Sequence, residues 1–151
     1  MKLTTKSRYA VRILMGLAIF SDKGVISVRA SSQHLQLSNK YIESIFIELK
    51  KKHFIESIRG INGGYRLAMK PEEISVYNVI TSMETYDSIA PRHVFPDTLA
   101  RVVFRELWYK VDEDIKDYLT HISIADLIEM QGGIEEIKKH EWYQSFGQES
   151  I

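Results

Sequence analysis

Cysteine is absent from the 151 residues. Its absence excludes disulfides, thiolate zinc sites, cysteine-ligated iron–sulfur clusters and cysteine nucleophiles. No apolar run approaches the roughly 20 residues of a membrane-spanning helix. The basic start, Met1-Lys2-Leu3-Thr4-Thr5-Lys6, leads into no signal-peptide core or small-residue cleavage site, so a cytoplasmic protein with no membrane partner is expected. Internal repeats and low-complexity stretches are also lacking. The five histidines (His34, His53, His93, His121, His140) show no metal-binding spacing. The acidic pairs Glu72-Glu73 and Glu135-Glu136 read as solvated helix ends, and no nucleophile–base arrangement stands out. The expectation is a non-enzyme with no catalytic residue, no metal ligand and no cofactor.

What is present is 44% apolar and 26% charged residues, the balance of an ordered globular chain. The net charge of zero hides a split. Residues 1–70 hold 13 Lys/Arg against 4 Asp/Glu, a net +9, and residues 71–151 hold 7 against 16, a net −9. Either the first half meets a polyanion, or solvated charges have segregated by chance.

Apolar residues at helical spacing (Ala10, Ile13, Leu14, Leu17) predict a helix from Leu3 to Phe20, broken by Ser21-Asp22-Lys23-Gly24. Val25 and Ile26 read as a short extended segment. Ser27 caps a short helix from Val28 to about His34, and Leu35-Gln36-Leu37 forms a turn. Ser38 caps a stronger helix from Asn39 to about Lys52, with Ile42, Ile45, Phe46 and Leu49 on its apolar face. Period-two strands follow at Phe54–Arg59 and Tyr65–Ala68, around a glycine-rich tip. Ser75 caps a helix over 76–84. An irregular stretch over 85–96 precedes a long helix from about Asp97 to Thr120. Ser123-Ile124-Ala125-Asp126 then forms a capping box that opens a short helix through Met130. Gly132-Gly133 ends that helix, and a polar, mostly acidic tail closes the chain.

This order predicts a mainly α protein with a small β-hairpin wing: a winged helix-turn-helix domain plus a long C-terminal dimerisation helix. The predicted units are a DNA-binding domain over 1–84, a linker over 85–96, dimerisation helices over 97–130 and a tail over 131–151.

Three segments are candidates for contact with double-stranded DNA. The first is the start of the second helix of the motif, with Ser38, Asn39, Lys40, Tyr41, Glu43 and Ser44. Asn pairs with adenine, Lys with guanine or phosphate, and Glu accepts from cytosine N4; an amphipathic surface helix with a solvated polar face is the plainer alternative. The second is the tip over Arg59, Gly60, Asn62, Gly63 and Gly64, where the glycines let the backbone approach a sugar–phosphate edge and the flanking Arg59 and Arg66 can neutralise phosphates or enter the minor groove. An ordinary hairpin is the alternative there. A nucleotide-phosphate loop is discounted, because no Gly-Lys-Ser/Thr follows. The third is the basic chain start, Lys2, Thr4, Thr5, Lys6 and Arg8, able to clamp a phosphate or simply to cap and solvate a helix. Separately, Leu99, Val103, Leu107, Val111, Ile115 and Leu119 recur every four residues along the long helix. They mark either a homodimer interface or the core of a second domain.

Together, residues 1–10, Leu37–Phe46, Arg59–Leu67, Leu107-Trp108 and Ile122–Leu127 resemble the Rrf2 family of bacterial transcription regulators, of the IscR, NsrR and CymR type. The resemblance covers roughly residues 1–130. It implies a dimer that contacts DNA through the start of the first helix, the recognition helix and the wing tip, with Glu43 at a selectivity-setting position. The departures are Ser7 in place of the usual glycine, His53-Phe54 in place of a common Gly-Leu, and no cysteine where many members hold an iron–sulfur cluster. The corresponding region offers Ala90, Pro91, His93, Pro96 and Val102, and Arg105 stands where one branch has a histidine ligand. The chain is therefore similar to the cluster-free branch, which responds to a regulatory protein partner or a small-molecule effector. A ligand pocket between the domains, lined by residues from the Thr85–Pro96 loop, would be an effector site before a catalytic one. The rival expectation is a protein-interaction module of the same fold that has lost strong DNA binding, with Trp142, Tyr143 and Phe146 serving the partner.

Overall fold

Thr4 opens the first helix by accepting a hydrogen bond from the Ser7 amide, and α1 (Thr5–Ile19) runs without interruption to Phe20. The computed structural model describes residues 3–84 and 98–146, except for the side chains of Thr98, Ala100 and Phe104. Lys2, the 85–96 linker, Asp97 and the end of the tail lie outside the described residues.

Three serines punctuate the next elements. Ser27 caps α2 (Val28–Leu35), Ser38 caps α3 (Asn39–Lys51) and Ser75 caps α4 (Val76–Met83), each accepting from a backbone amide three residues on. Such caps contribute about 1 kcal/mol each. Between α2 and α3 the chain turns through Gln36, which adopts a left-handed conformation (φ 55°).

The end of α3 explains one departure from the family pattern. His53 has φ 64°; its amide donates to the Lys50 carbonyl and the Phe54 amide to the Leu49 carbonyl. This is the helix-terminating turn that glycine usually occupies. A second departure, Ser7, is wholly buried, and its hydroxyl is satisfied by the Thr4 carbonyl at 3.1 Å.

The wing is an antiparallel pair, β1 (Ile55–Ile58) and β2 (Gly64–Leu67), in the register Ile55↔Leu67 to Ile58↔Gly64. Ile26 adds a third, one-residue rung, exchanging two 2.8 Å backbone bonds with Tyr65. The extended segment at Val25-Ile26 thus anchors the wing to the start of α2. The core lies between α1, α3 and α4, where Leu14, Ile42, Ile45, Phe46, Leu49 and Val79 are wholly buried.

The long helix is one rod with a flaw. α5 (Thr98–Val103) passes through a π-helical turn (Phe104–Trp108) into α6 (Tyr109–Thr120). On a regular helix a four-residue repeat drifts by about 40° per step. The wider π turn takes up part of that drift midway along the Leu99–Leu119 stripe. Leu99, Val103 and Leu107 are exposed at 72%, 49% and 51%. Val111, Ile115 and Leu119 are half-buried along α6, which packs against α4.

Two sequence expectations change here. The grouping of all of 97–130 as dimerisation helices does not hold for α7 (Ile124–Met130). This helix packs on α1, and its Ile124 and Ile128 join the winged-helix core. Backbone bonds between Val76 and Ile122 (2.8 Å) and between Ile124 and Ile74 (2.9 Å) tie it in. Nor do residues 131–146 form merely a polar tail. After Gly132 and Gly133, both at positive φ, α8 (Gly133–Ile137) and α9 (Glu141–Ser145) fold back on the end of α1. Ile137 and Tyr143 are buried, and the Phe146 ring stacks on Phe20 at 3.7 Å between centroids. Isolated aromatic residues among charges carry no period, so the sequence shows a polar stretch where the fold has an apolar lid.

Candidate nucleic-acid interface

The apolar face of α3 is fixed in the core, and this forces the opposite face outward. Asn39, Lys40, Glu43 and Ser44 are exposed near its N-terminus, beside the capping residue Ser38. The backbone amides of this first turn add positive potential. Ser44 donates to the Tyr41 carbonyl at 2.6 Å. Tyr41 is half-buried, and its ring meets Tyr9 of α1 edge-on at 6.2 Å; only part of it faces outward.

The wing is held at a set position relative to α3. The Tyr65 ring lies 4.6 Å from that of Phe46, and Lys50 donates to the Ser57 hydroxyl at 2.7 Å. At the tip, an added Cβ on Gly63 would stand 2.4 Å from the Ile58 carbonyl oxygen, and one on Gly64 would stand 2.7 Å from that of Ile26. Backbone crowding therefore requires both glycines, whatever they meet outside. The two arginines differ. Arg66 pairs across the strands with Glu56 at 2.5 Å, whereas Arg59, Asn62 and a fully exposed Ile61 project from the tip.

The start of α1 is more committed to the fold than its composition suggests. The Thr4 backbone amide donates to Glu84 Oε1 at 3.0 Å, and its hydroxyl donates to the same oxygen. Lys6 forms an ion pair with Glu48 of α3. Thr5 is exposed, and so is Arg8, which reaches the Leu3 carbonyl at 3.4 Å. Glu48 and Glu84, which lock this segment in place, were missed in the sequence. No local signal connects residue 84 with residue 4.

The structure thus brings the α1 start and the α3 face together through Lys6–Glu48, and adjoins the α3 face to the wing through Lys50–Ser57. These segments all lie in the basic half of the sequence.

As for an iron centre, the chain has no thiolate donor, and no three His, Asp or Glu side chains converge among the described residues. Arg105 pairs with its neighbour Glu106 at 3.3 Å. The donors present do not fit a cysteine-ligated cluster.

Comparison with known proteins places this geometry. The Rrf2 family, described as an iron-dependent transcriptional regulator, matches residues 3–130. CymR of Bacillus subtilis is 32% identical over 136 residues, covering 90% of this chain and 96% of the relative. IscR of Aliivibrio salmonicida is 32% identical over 130 residues, covering 85% and 77%. Among solved structures, CymR of B. subtilis, described as its global cysteine regulator, superposes with a TM-score of 0.75 at 31% identity, over 86% of this chain and 98% of that one. IscR of T. potens gives 0.71 at 27% identity, over 97% of each. The exposed recognition helix, the glycine-tipped wing and these likenesses agree: the chain belongs to the Rrf2 family of helix-turn-helix transcription regulators.

Proposed function

We propose that the protein is a cytoplasmic homodimeric repressor that binds an inverted repeat through two copies of α3 and its wing. The observation that carries the reading is the exposed polar face of α3 set beside the projecting Arg59. Asn39, Lys40 and Glu43 face base edges, and Arg59, Arg8 and Lys40 attract phosphates. Dimerisation is supported by Val102, Val103 and Leu107, large apolar side chains between 47% and 51% exposed on one rod. A two-fold axis along that rod would present two recognition helices about one DNA turn, roughly 34 Å, apart. The regulatory input is a partner protein or a small molecule.

The test is selection of genomic DNA fragments by the purified protein at about physiological salt, sequenced and searched for a shared motif. A common inverted repeat with half-sites about one helical turn apart is the expected result. No enrichment from DNA alone or in cell extract would overturn the reading. Arg59→Ala is expected to weaken binding to all sequences and lower the salt slope by about 0.9. Glu43→Ala is expected to change the preferred sequence more than the affinity.

A further inference from the structure

The lid formed by α8 and α9 does not close completely on the winged-helix domain. A cavity of about 480 Å³ remains between it and the faces of α1 and α2, within the range of about 300–1,000 Å³ typical of small-molecule sites. The matched family region ends at residue 130, and one wall of the cavity, including His140, Trp142 and Phe146, comes from beyond that point. None of its lining residues belongs to the three candidate DNA-contact segments; the 85–96 loop, where the sequence suggested an effector pocket, lies outside the described residues.

Its chemistry is one-sided. Aromatic rings dominate the lid side: Trp142 lies 5.6 Å from the His34 ring, and Phe146 lies 5.4 Å from it. No aspartate or glutamate among the described residues lines the cavity. Arg12 stands on α1 at its edge with its guanidinium 5.6 Å over the Tyr9 ring and no carboxylate partner among the described residues. Partial burial, and then the Arg12 charge, hold the His34 imidazole below its ordinary range. The Arg12 guanidinium, always protonated at neutral pH, offers a planar fork that suits a carboxylate. Rings facing it supply stacking surface.

We propose that this cavity binds a small aromatic carboxylate, with its ring among Trp142, Phe146 and His34 and its carboxylate on Arg12. Gly16 provides a clean way to close the site. It lies on α1 in the cavity lining, and a Cβ added there meets nothing within 4 Å. Gly16→Leu fills the space while improving helix propensity.

The experiment is calorimetric titration of the full chain with indole-3-acetate, and with tryptamine as the cation of similar shape. Indole-3-acetate is expected to bind saturably, about tenfold or more tighter than tryptamine, a difference of about 1.4 kcal/mol. Arg12→Gln is expected to remove that preference, and Gly16→Leu to abolish binding, both with unchanged circular dichroism. Equal affinity for the two probes, no saturable binding up to about 5 mM (a binding free energy of about −3 kcal/mol), or binding that survives Gly16→Leu would overturn the proposal.

Discussion

Recognition helix α3 and the α5–α6 rod are both amphipathic, yet their apolar faces end in opposite surroundings. Ile42, Ile45, Phe46 and Leu49 of α3 are wholly buried. On the rod, Leu99 is 72% exposed and Leu107 51% exposed, while Val111, Ile115 and Leu119 further along are half-buried. Burial within the chain uses up the apolar face of α3 and leaves its polar face available to a ligand. On the upper rod it leaves the apolar face available. The two helices are therefore suited to different partners: α3 to a polar, charged surface, the rod to another apolar one.

The largest test of this contrast is truncation on each helix. Phe46→Ala is expected to cost about 3–5 kcal/mol, as the loss of a wholly buried ring with a cavity left behind. Leu107→Ala is expected to cost well under half as much at low protein concentration, measured by urea unfolding. Equal costs would mean that the rod face is buried in the monomer.

Next in size, Val103→Glu combined with Leu107→Glu is expected to raise a dimer dissociation constant by about 100-fold or more, or about 2.7 kcal/mol. Sedimentation velocity would show it, with helical content retained. A dimer untouched by two carboxylates would place the interface elsewhere.

The acidic half also contains a part that is inside, and pH sharpens that distinction. Tyr143 donates to Asp22 at 2.7 Å. Burial, and then Asp22, push the Tyr143 phenol up to about 12. The Tyr143 hydroxyl, and after it Lys138, hold Asp22 below its ordinary range. The Asp22 contribution is fully present above the unfolded carboxylate value of about 4 and is lost as pH falls through its lower folded value. The Tyr143 contribution is present below about 10 and is lost as pH rises toward its raised value. Docking of α9 is thus expected to be steady between those limits and to weaken on both sides. Trp142 fluorescence in a Trp108→Phe background would follow it. A Tyr143→Phe profile identical to that of the parent would remove the pair from this role.

The smallest effect is at the junction of α3 and the wing. His53→Gly is expected to stabilise the domain by about 1 kcal/mol, since only the histidine is penalised for its left-handed backbone. No gain in thermal midpoint would mean that the histidine side chain compensates.

Much of the fold was legible locally. The Ser27, Ser38 and Ser75 caps, the Ser123–Asp126 box and the glycine-tipped wing are short-range devices whose partners lie within a few residues, so residue type and spacing suffice to place them. The exposed α3 residues of the candidate site were legible for the same reason, because a 3.6-residue period fixes which side chains share a face. The use of Lys6 and Thr4 was not. Their partners, Glu48 and Glu84, are 42 and 80 positions away, and no pattern near residue 4 signals them.

By itself, then, the sequence determined the helices up to Met130 among the described residues, the wing, the charge division and the absence of thiolate chemistry, because these depend on composition and near-neighbour periodicity. Only the tertiary structure decided that α7 belongs to the winged-helix core, that Trp142, Tyr143 and Phe146 fold back over Phe20, and that a cavity remains beneath them. Those outcomes depend on which apolar surfaces, distant in the chain, meet first to exclude water, and that driving force has no direction along the sequence.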